Sequence, residues 1–450
     1  MAREKKKYRC RECGAEDSKW AGQCPSCGEW NCLEEVATNE SPRGRGRGFA
    51  GIHSELAPLS QVKSDQGGRV HSGFAEFDRV LGGGLVPGSV VLIGGDPGVG
   101  KSTLLLQVSC LLAAGHQTIY VSGEESPQQI SQRATRLVLD RDRLLFLAET
   151  SVETIIDTAL SNRPGFLIID SIQTMHCDEV NSAPGSVSQV REATARLTAF
   201  AKQNGITVFL IGHVTKSGDL AGPRVLEHII DVVCYIEGSN DSRFRMVRAV
   251  KNRYGATGEL GVFAMTDQGM REIKNPSAIF LSGQDKPMPG SSIMTTWEGS
   301  RPLLVEIQAL TDESYGEQPR RVSLGLDSNR LAMLLAVLHR HGNMATWNRD
   351  VFLNVVGGVK ILETGADLPL LLAVASSTRD TPLPRGLVSF GEIGLAGEAR
   401  PVPNGVARLQ EAAKHGMKLA IIPAANRPPK PIKGLEIKAV KTLAEALEIV

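Results

Sequence analysis

The sequence predicts an α/β chain in which a parallel-sheet nucleotide-binding core is preceded by a four-cysteine knuckle and followed by an α+β region. Three observations carry this expectation. The octapeptide GDPGVGKS, residues 95–102, stands between an apolar run and a leucine-rich stretch of helical length. Two Cys-x-x-Cys pairs fall within residues 10–27. Apolar runs at 89–94, 118–122, 144–148, 166–170 and 207–212 alternate with segments long enough to be helices, as in a sheet joined by helical crossovers.

Composition narrows the class. The 450 residues carry a formal charge of +1, so net charge names no partner and any nucleic-acid surface has to be local. The hydrophobic fraction of 42% is ample for packed cores, and no apolar run approaches the roughly 20 residues of a membrane span. The basic N-terminus has no apolar run of the kind a secretory signal needs. A cytoplasmic enzyme without a membrane partner is expected. Five of eight cysteines lie in the first 32 residues, and Cys110, Cys177 and Cys234 sit among apolar neighbours as small buried hydrophobes.

The knuckle spans residues 1–35. Cys10 and Cys13, then Cys24 and Cys27, put two thiolates on each of two tight turns, with Gly14 and Gly28 just after the pairs. Four thiolates suit tetrahedral Zn²⁺. A redox pair is the alternative, and the doubled motif argues against it. A unit this small takes its folding energy from the metal. Cys32 reads as packing, and residues 36–60, rich in Gly, Arg and Ser, read as a linker.

The core, residues 61–285, holds the strongest signal. Gly95, Asp96, Pro97, Gly98, Val99, Gly100, Lys101, Ser102 and Thr103 form a phosphate loop that opens a helix, where backbone N–H groups already favour anions. Lys101 is expected to neutralise the β/γ oxygens of ATP and Ser102 to ligate Mg²⁺. FLIID ends in Asp170, the acid that holds magnesium at a second strand tip. Glu124 and Glu125 end a third strand, where a carboxylate can polarise the attacking water; a helix cap or a solvated pair is the plainer alternative. His213, at the end of TVFLIGH, is weak evidence for a γ-phosphate sensor.

These features resemble the RecA-type ATPase core. Together with EFDRVLGGGLVPGS, HVTKSGDLAGPRVLEH and KNRYG, the whole chain is similar to the bacterial RadA (Sms) family of recombination and repair proteins. The unusual Cys32, and Tyr254 where phenylalanine is common, are small departures. The resemblance implies a hexameric ring, a helicase that moves branches on single-stranded and branched DNA, and the RecA recombinase as a partner. It also implies that Lys251 and Arg253 of KNRYG reach a neighbour's γ-phosphate, where a fixed cation is worth about 10³–10⁵-fold in related systems. Alternation along a strand puts both on one face, with Asn252 opposite and Gly255 ending the strand. Direct DNA contact and a merely solvated hairpin tip are the other readings. Segments 176–186 and 215–228 are candidate DNA loops, with Lys216 and Arg224 as phosphate contacts.

Residues 286–450 resemble the Lon protease catalytic domain, most clearly in GEIGLAGEARPVPNGVARLQEAAKHG. Acyl transfer there needs a serine and a lysine. The stretch expected to carry the serine reads ETGADLPLLLA, and the expected lysine position is Ala407. The fold class that results is a RecA-like P-loop ATPase core with an N-terminal C4 zinc knuckle and a C-terminal α+β Lon-protease-like domain, inactive as a protease. A nucleotide-controlled binding switch is the alternative to a DNA motor.

Overall fold

The computed structural model describes residues 7–10, 16–17, 20–23, 25, 29–30, 33–36, 68–212, 226–238, 243–277, 281, 287–316 and 318–450. They form two compact units, Met1–Phe49 and Ala50–Val450. In the first, β1 (Lys7–Cys10) lies between β2 (Glu16–Asp17) and β3 (Leu33–Val36), antiparallel to both. Cys10 closes β1; Cys13, Cys24 and Cys27 lie outside the described residues.

The second unit begins with α1 (Ala75–Val80) and a nine-stranded sheet. Its strands are β4 (Val90–Gly95), β5 (Thr118–Ser122), β6 (Leu144–Ala148), β7 (Phe166–Asp170), β8 (Thr207–Ile211), β9 (Val232–Glu237), β10 (Phe244–Asn252), β11 (Leu260–Thr266) and β12 (Gly269–Glu272). The order is β12-β11-β10-β9-β4-β8-β7-β5-β6. Strands β4 to β9 run parallel, and β10 to β12 extend the sheet antiparallel. Helices α2 (Lys101–Ala113), α3 (Pro127–Arg136), α4 (Val152–Asn162) and α5 (Val187–Asn204) are the crossovers. Serines start three of them: Ser126, Ser151 and Ser186 each accept an N–H of the first turn. Helices on both faces bury β4, β5, β7 and β8 at every position, which is why these strands read as unbroken apolar runs. Val91 and Ile93 join one core cluster, and Val90 and Leu92 the other.

Two details differ from expectation. Strand β10 ends at Asn252 rather than at Gly255, because its pairing partner β9 starts at Val232. A bulge between Ala249 and Lys251 interrupts the ladder just before KNRYG.

After residue 286 a second sheet forms from β13 (Ser291–Glu298), β14 (Arg301–Glu313), β15 (Arg321–Leu324), β16 (Arg349–Val355), β17 (Leu387–Ser389), β20 (Leu419–Pro423) and β21 (Glu436–Val440), in the order β15-β16-β14-β13-β17-β20-β21. The short pair β18 (Glu392–Ile393) and β19 (Ala399–Arg400) stands apart. Helices α6 (Ser328–Gly342), α7 (Asp367–Thr378), α8 (Gly405–Lys414) and α9 (Leu443–Glu448) complete it. Met246, Leu260 and Val262 of the first sheet share a core with Met294, Leu303 and Val305 of the second. Among the described residues no helix is long and apolar enough to cross a membrane.

Candidate nucleotide site

The phosphate loop joins β4 to α2 at the carboxyl end of the parallel strands. Gly95 has φ +149, and a Cβ there would meet the Ile236 carbonyl oxygen at 2.7 Å, so only glycine lets the strand leave the sheet at this point. Leu104, Leu105 and Leu106 bury the next turn, at about 1.5–3 kcal/mol each. That anchoring fixes the helix start. Lys101 is buried, and its Nζ donates to the carbonyls of Gly95 (2.8 Å) and Asp96 (2.9 Å). Burial lowers its pKa, against the pull of Asp170, Asp96 and Glu124. The ammonium thus waits on backbone acceptors that a phosphate oxygen would replace.

Two strand tips supply three carboxylates. Asp170, at the end of β7, is bonded by the side chains of Ser102 and Tyr120; the Tyr120 hydroxyl donates to Oδ2 at 2.5 Å. Burial pushes the Asp170 carboxyl above its ordinary range, with both hydrogen bonds acting the other way. Tyr120, fully buried, has its own pKa driven upward by burial and then by the Asp170 charge. Beyond β5 the two glutamates part. Glu124 accepts from the Ser171 hydroxyl and is near enough to Asp170 and Lys101 to act on their pKa values. Glu125 pairs with Arg133 of α3. An ammonium, a hydroxyl and a carboxylate converging at a helix N-terminus fit a phosphate chain with a hard cation.

KNRYG lies at the other end of the sheet. Asn252 is level with Val232, and Val232 with Val91, so the motif is beside the start of β4 and Gly95 ends that strand. The four residue steps from Val91 to Gly95 span about 13 Å. Lys251 Nζ donates to the Glu227 carbonyl. Arg253 donates to Asp231 Oδ1 (2.9 Å) and to the His228 carbonyl (3.2 Å). Asn252 turns to the opposite side and donates to the Val80 carbonyl at 3.3 Å, as strand alternation predicts. The Lys251 pKa is lowered, by burial first and then by Arg253. His213, Lys216 and Arg224 lie outside the described residues.

Sequence reasoning missed several members of the site. Tyr120 is an aromatic in an otherwise small aliphatic strand, and Ser171 directly follows the strand acid; both were visible signals. Arg133 and Asp231 were not: Arg133 meets Glu125, 8 positions earlier, only once the turn into α3 has formed, and Asp231 Oδ2 accepts the Val90 N–H across 141 positions.

Comparison with known proteins agrees with this architecture. The AAA domain family matches residues 57–219, and a rubredoxin-type metal-binding domain matches residues 8–35. The DNA repair protein RadA of Pseudomonas aeruginosa is 58% identical over 449 residues, covering 100% of this chain and 99% of that protein. The RadA of Escherichia coli is 56% identical over 451 residues (99% and 98%), and that of Bacillus subtilis 47% over 455 (99% of each). Identity of this order, sustained from end to end across a P-loop core and a metal-binding knuckle, means that the chain belongs to the RadA family.

Proposed function

We propose that this protein is a DNA-dependent ATPase of DNA repair and homologous recombination that works in the cytoplasm as a ring of identical subunits, six by family resemblance. It moves branches on single-stranded and branched DNA alongside the RecA recombinase. The observation that carries this reading is the position of KNRYG. Lys251, level with Leu92, lies about 10 Å along the sheet from Gly95 and Arg253 lies further; with both side chains bonded to Leu226–Asp231, we read them as serving the nucleotide of a neighbouring copy. A ring in which each subunit supplies cations to the next couples hydrolysis to subunit movement.

In this reading Lys101 and the backbone N–H groups of Gly98 to Thr103 bind the phosphates of ATP. Ser102 and Asp170 hold Mg²⁺, which supplies charge neutralisation during phosphoryl transfer. Glu124 accepts the proton of the attacking water, with Ser171 orienting the carboxylate. Glu125, engaged by Arg133, positions α3. Four cysteines, Cys10, Cys13, Cys24 and Cys27, hold zinc. The region after residue 286 acts as a non-hydrolytic, Lon-protease-like scaffold. What supports this is the absence of a serine before Ser376 in the stretch starting at Glu363, and Ala407 at the lysine position. Their surroundings are spent on ion pairs, Arg408 with Glu363 (NH1–Oε1 2.8 Å) and Arg330 with Asp367 (2.5 Å).

Strand displacement on a forked duplex with ATP and Mg²⁺ tests the motor. The intact protein is expected to unwind; Lys101→Ala and Lys251→Ala are expected to bind DNA without unwinding it. Turnover of ATP with no displacement, even on RecA-coated DNA, would leave a nucleotide-controlled switch in the motor's place.

A further inference from the structure

The cations of KNRYG are not loose at a hairpin tip. Among the described residues, every acceptor of their side chains lies in one short peptide, Leu226–Asp231: the Glu227 carbonyl for Lys251, the His228 carbonyl and the Asp231 carboxylate for Arg253. Asp231 is 1% exposed and is the centre of this arrangement. Its Oδ1 takes Arg253 at 2.9 Å and Lys202 of α5 at 3.1 Å, and its Oδ2 takes the Val90 N–H at 3.1 Å. The Tyr254 hydroxyl also donates to it, and the Arg253 backbone N–H donates to the Asp231 carbonyl at 3.1 Å. One buried carboxylate therefore ties KNRYG to the first residue of the strand that ends in the phosphate loop, and to α5.

We propose that Asp231 is the positioning residue of the Lys251/Arg253 pair. Glu227 and His228 belong to the same short peptide, so a shift of that peptide relocates both cations together. The inference rests on the reading that KNRYG acts on an adjacent subunit. It adds the group that holds the motif and the peptide that moves it.

Mixed oligomers test both layers separately. A Lys101→Ala chain donates cations but cannot turn over ATP; an Arg253→Ala chain has an intact phosphate loop but a broken cation pair. Mixed, the two are expected to regain DNA-stimulated ATP turnover that neither has alone. Asp231→Asn added to the Lys101→Ala chain should lower this regained rate by roughly 10–100-fold, the cost of misplacing a reacting group by about 1 Å. Added to the Arg253→Ala chain, it should change little. A purely structural role predicts equal losses on either chain. Should Asp231→Asn fail to yield soluble protein, Lys202→Met perturbs the same carboxylate while leaving its bond to Val90, and the same asymmetry is expected. No regained turnover in the parent mixture overturns the cross-subunit reading, and the inference with it. Regained turnover with symmetric losses, or with none, overturns the inference alone.

Discussion

Glu124 and Glu125 leave the same strand and end in different company, one with Ser171 and near Asp170, the other in an ion pair with Arg133. Glu124→Gln should therefore reduce ATP turnover by about 10²–10⁴-fold, the range of general base catalysis, with ATP binding retained. Glu125→Gln should act mainly on thermal stability. Equal losses of turnover from the two would refute the division. Asp170 gives a pH prediction. Its raised pKa penalises the charged form above that pKa and relieves the penalty as pH falls through it, so Asp170 does not drive acid unfolding. In the proposed site, proton and magnesium would compete for the same carboxylate. Removing the Tyr120 hydroxyl, a donor to the charged form, raises the Asp170 pKa further. The acid limb of kcat/KM for ATP should move to higher pH in Tyr120→Phe, and a limb that stays in place would show that the hydrogen bond has no part in metal binding.

Among the elements, β10 is the one whose end matters, and it is held on both sides. Asn252 fastens it to α1, and Gly255 lies so close to Gly82 that a Cβ on Gly255 would meet the Gly82 Cα at 2.8 Å. Both atoms belong to backbone, so Gly255→Ala should cost about 1–3 kcal/mol, read as a lower urea midpoint. A midpoint equal to the parent's would mean that the two turns separate freely. In the C-terminal sheet the firmest tie is Arg408, 1% exposed, which donates to Glu363, to the Thr295 carbonyl at 2.7 Å and to the Pro403 carbonyl at 3.0 Å. Arg408→Met leaves Glu363 without its main partner, at a cost of about 3–5 kcal/mol. Adding Glu363→Leu should recover much of that loss. Failure of the second substitution to recover stability would assign the cost to the carbonyl contacts instead of the ion pair.

For the whole molecule, four buried hydrophobic clusters among the described residues lie within Ala50–Val450, and Met1–Phe49 forms a unit of its own. Chelation of zinc should accordingly unfold the knuckle, seen as rapid amide exchange in residues 1–35, while the melting transition of the large unit stays where it was. A large unit that melts earlier after chelation would show that the knuckle braces it. Within that unit the C-terminal sheet is joined to the first sheet and to α1 by buried charge as well as apolar contact: Arg248 bonds Glu298 at 2.7 Å, and Arg301 bonds Glu76 of α1 at 2.8 Å and the Leu260 carbonyl of β11 at 3.1 Å. Arg248 is on β10, the strand that leads to KNRYG. The C-terminal sheet is thus built onto the element that carries the cation pair.

The sequence alone determined the parallel core almost to the residue, 89–94 against Val90–Gly95 and 166–170 against Phe166–Asp170, because strands buried on both faces need unbroken apolar runs that turns and helices must interrupt. It determined the phosphate loop for a related reason: the backbone conformation requires glycine, and phosphate requires a cation, at fixed spacing. The tertiary structure alone decided the division of Glu124 from Glu125, the hydroxyl of Tyr120 on Asp170, and the seats of Lys251 on the Glu227 carbonyl and of Arg253 on Asp231. Apart from the pairing of Glu125 with Arg133, 8 positions on, those contacts join residues 22 to 50 positions apart. A buried charge chooses its partner by position in space, and no local pattern in a chain records that choice.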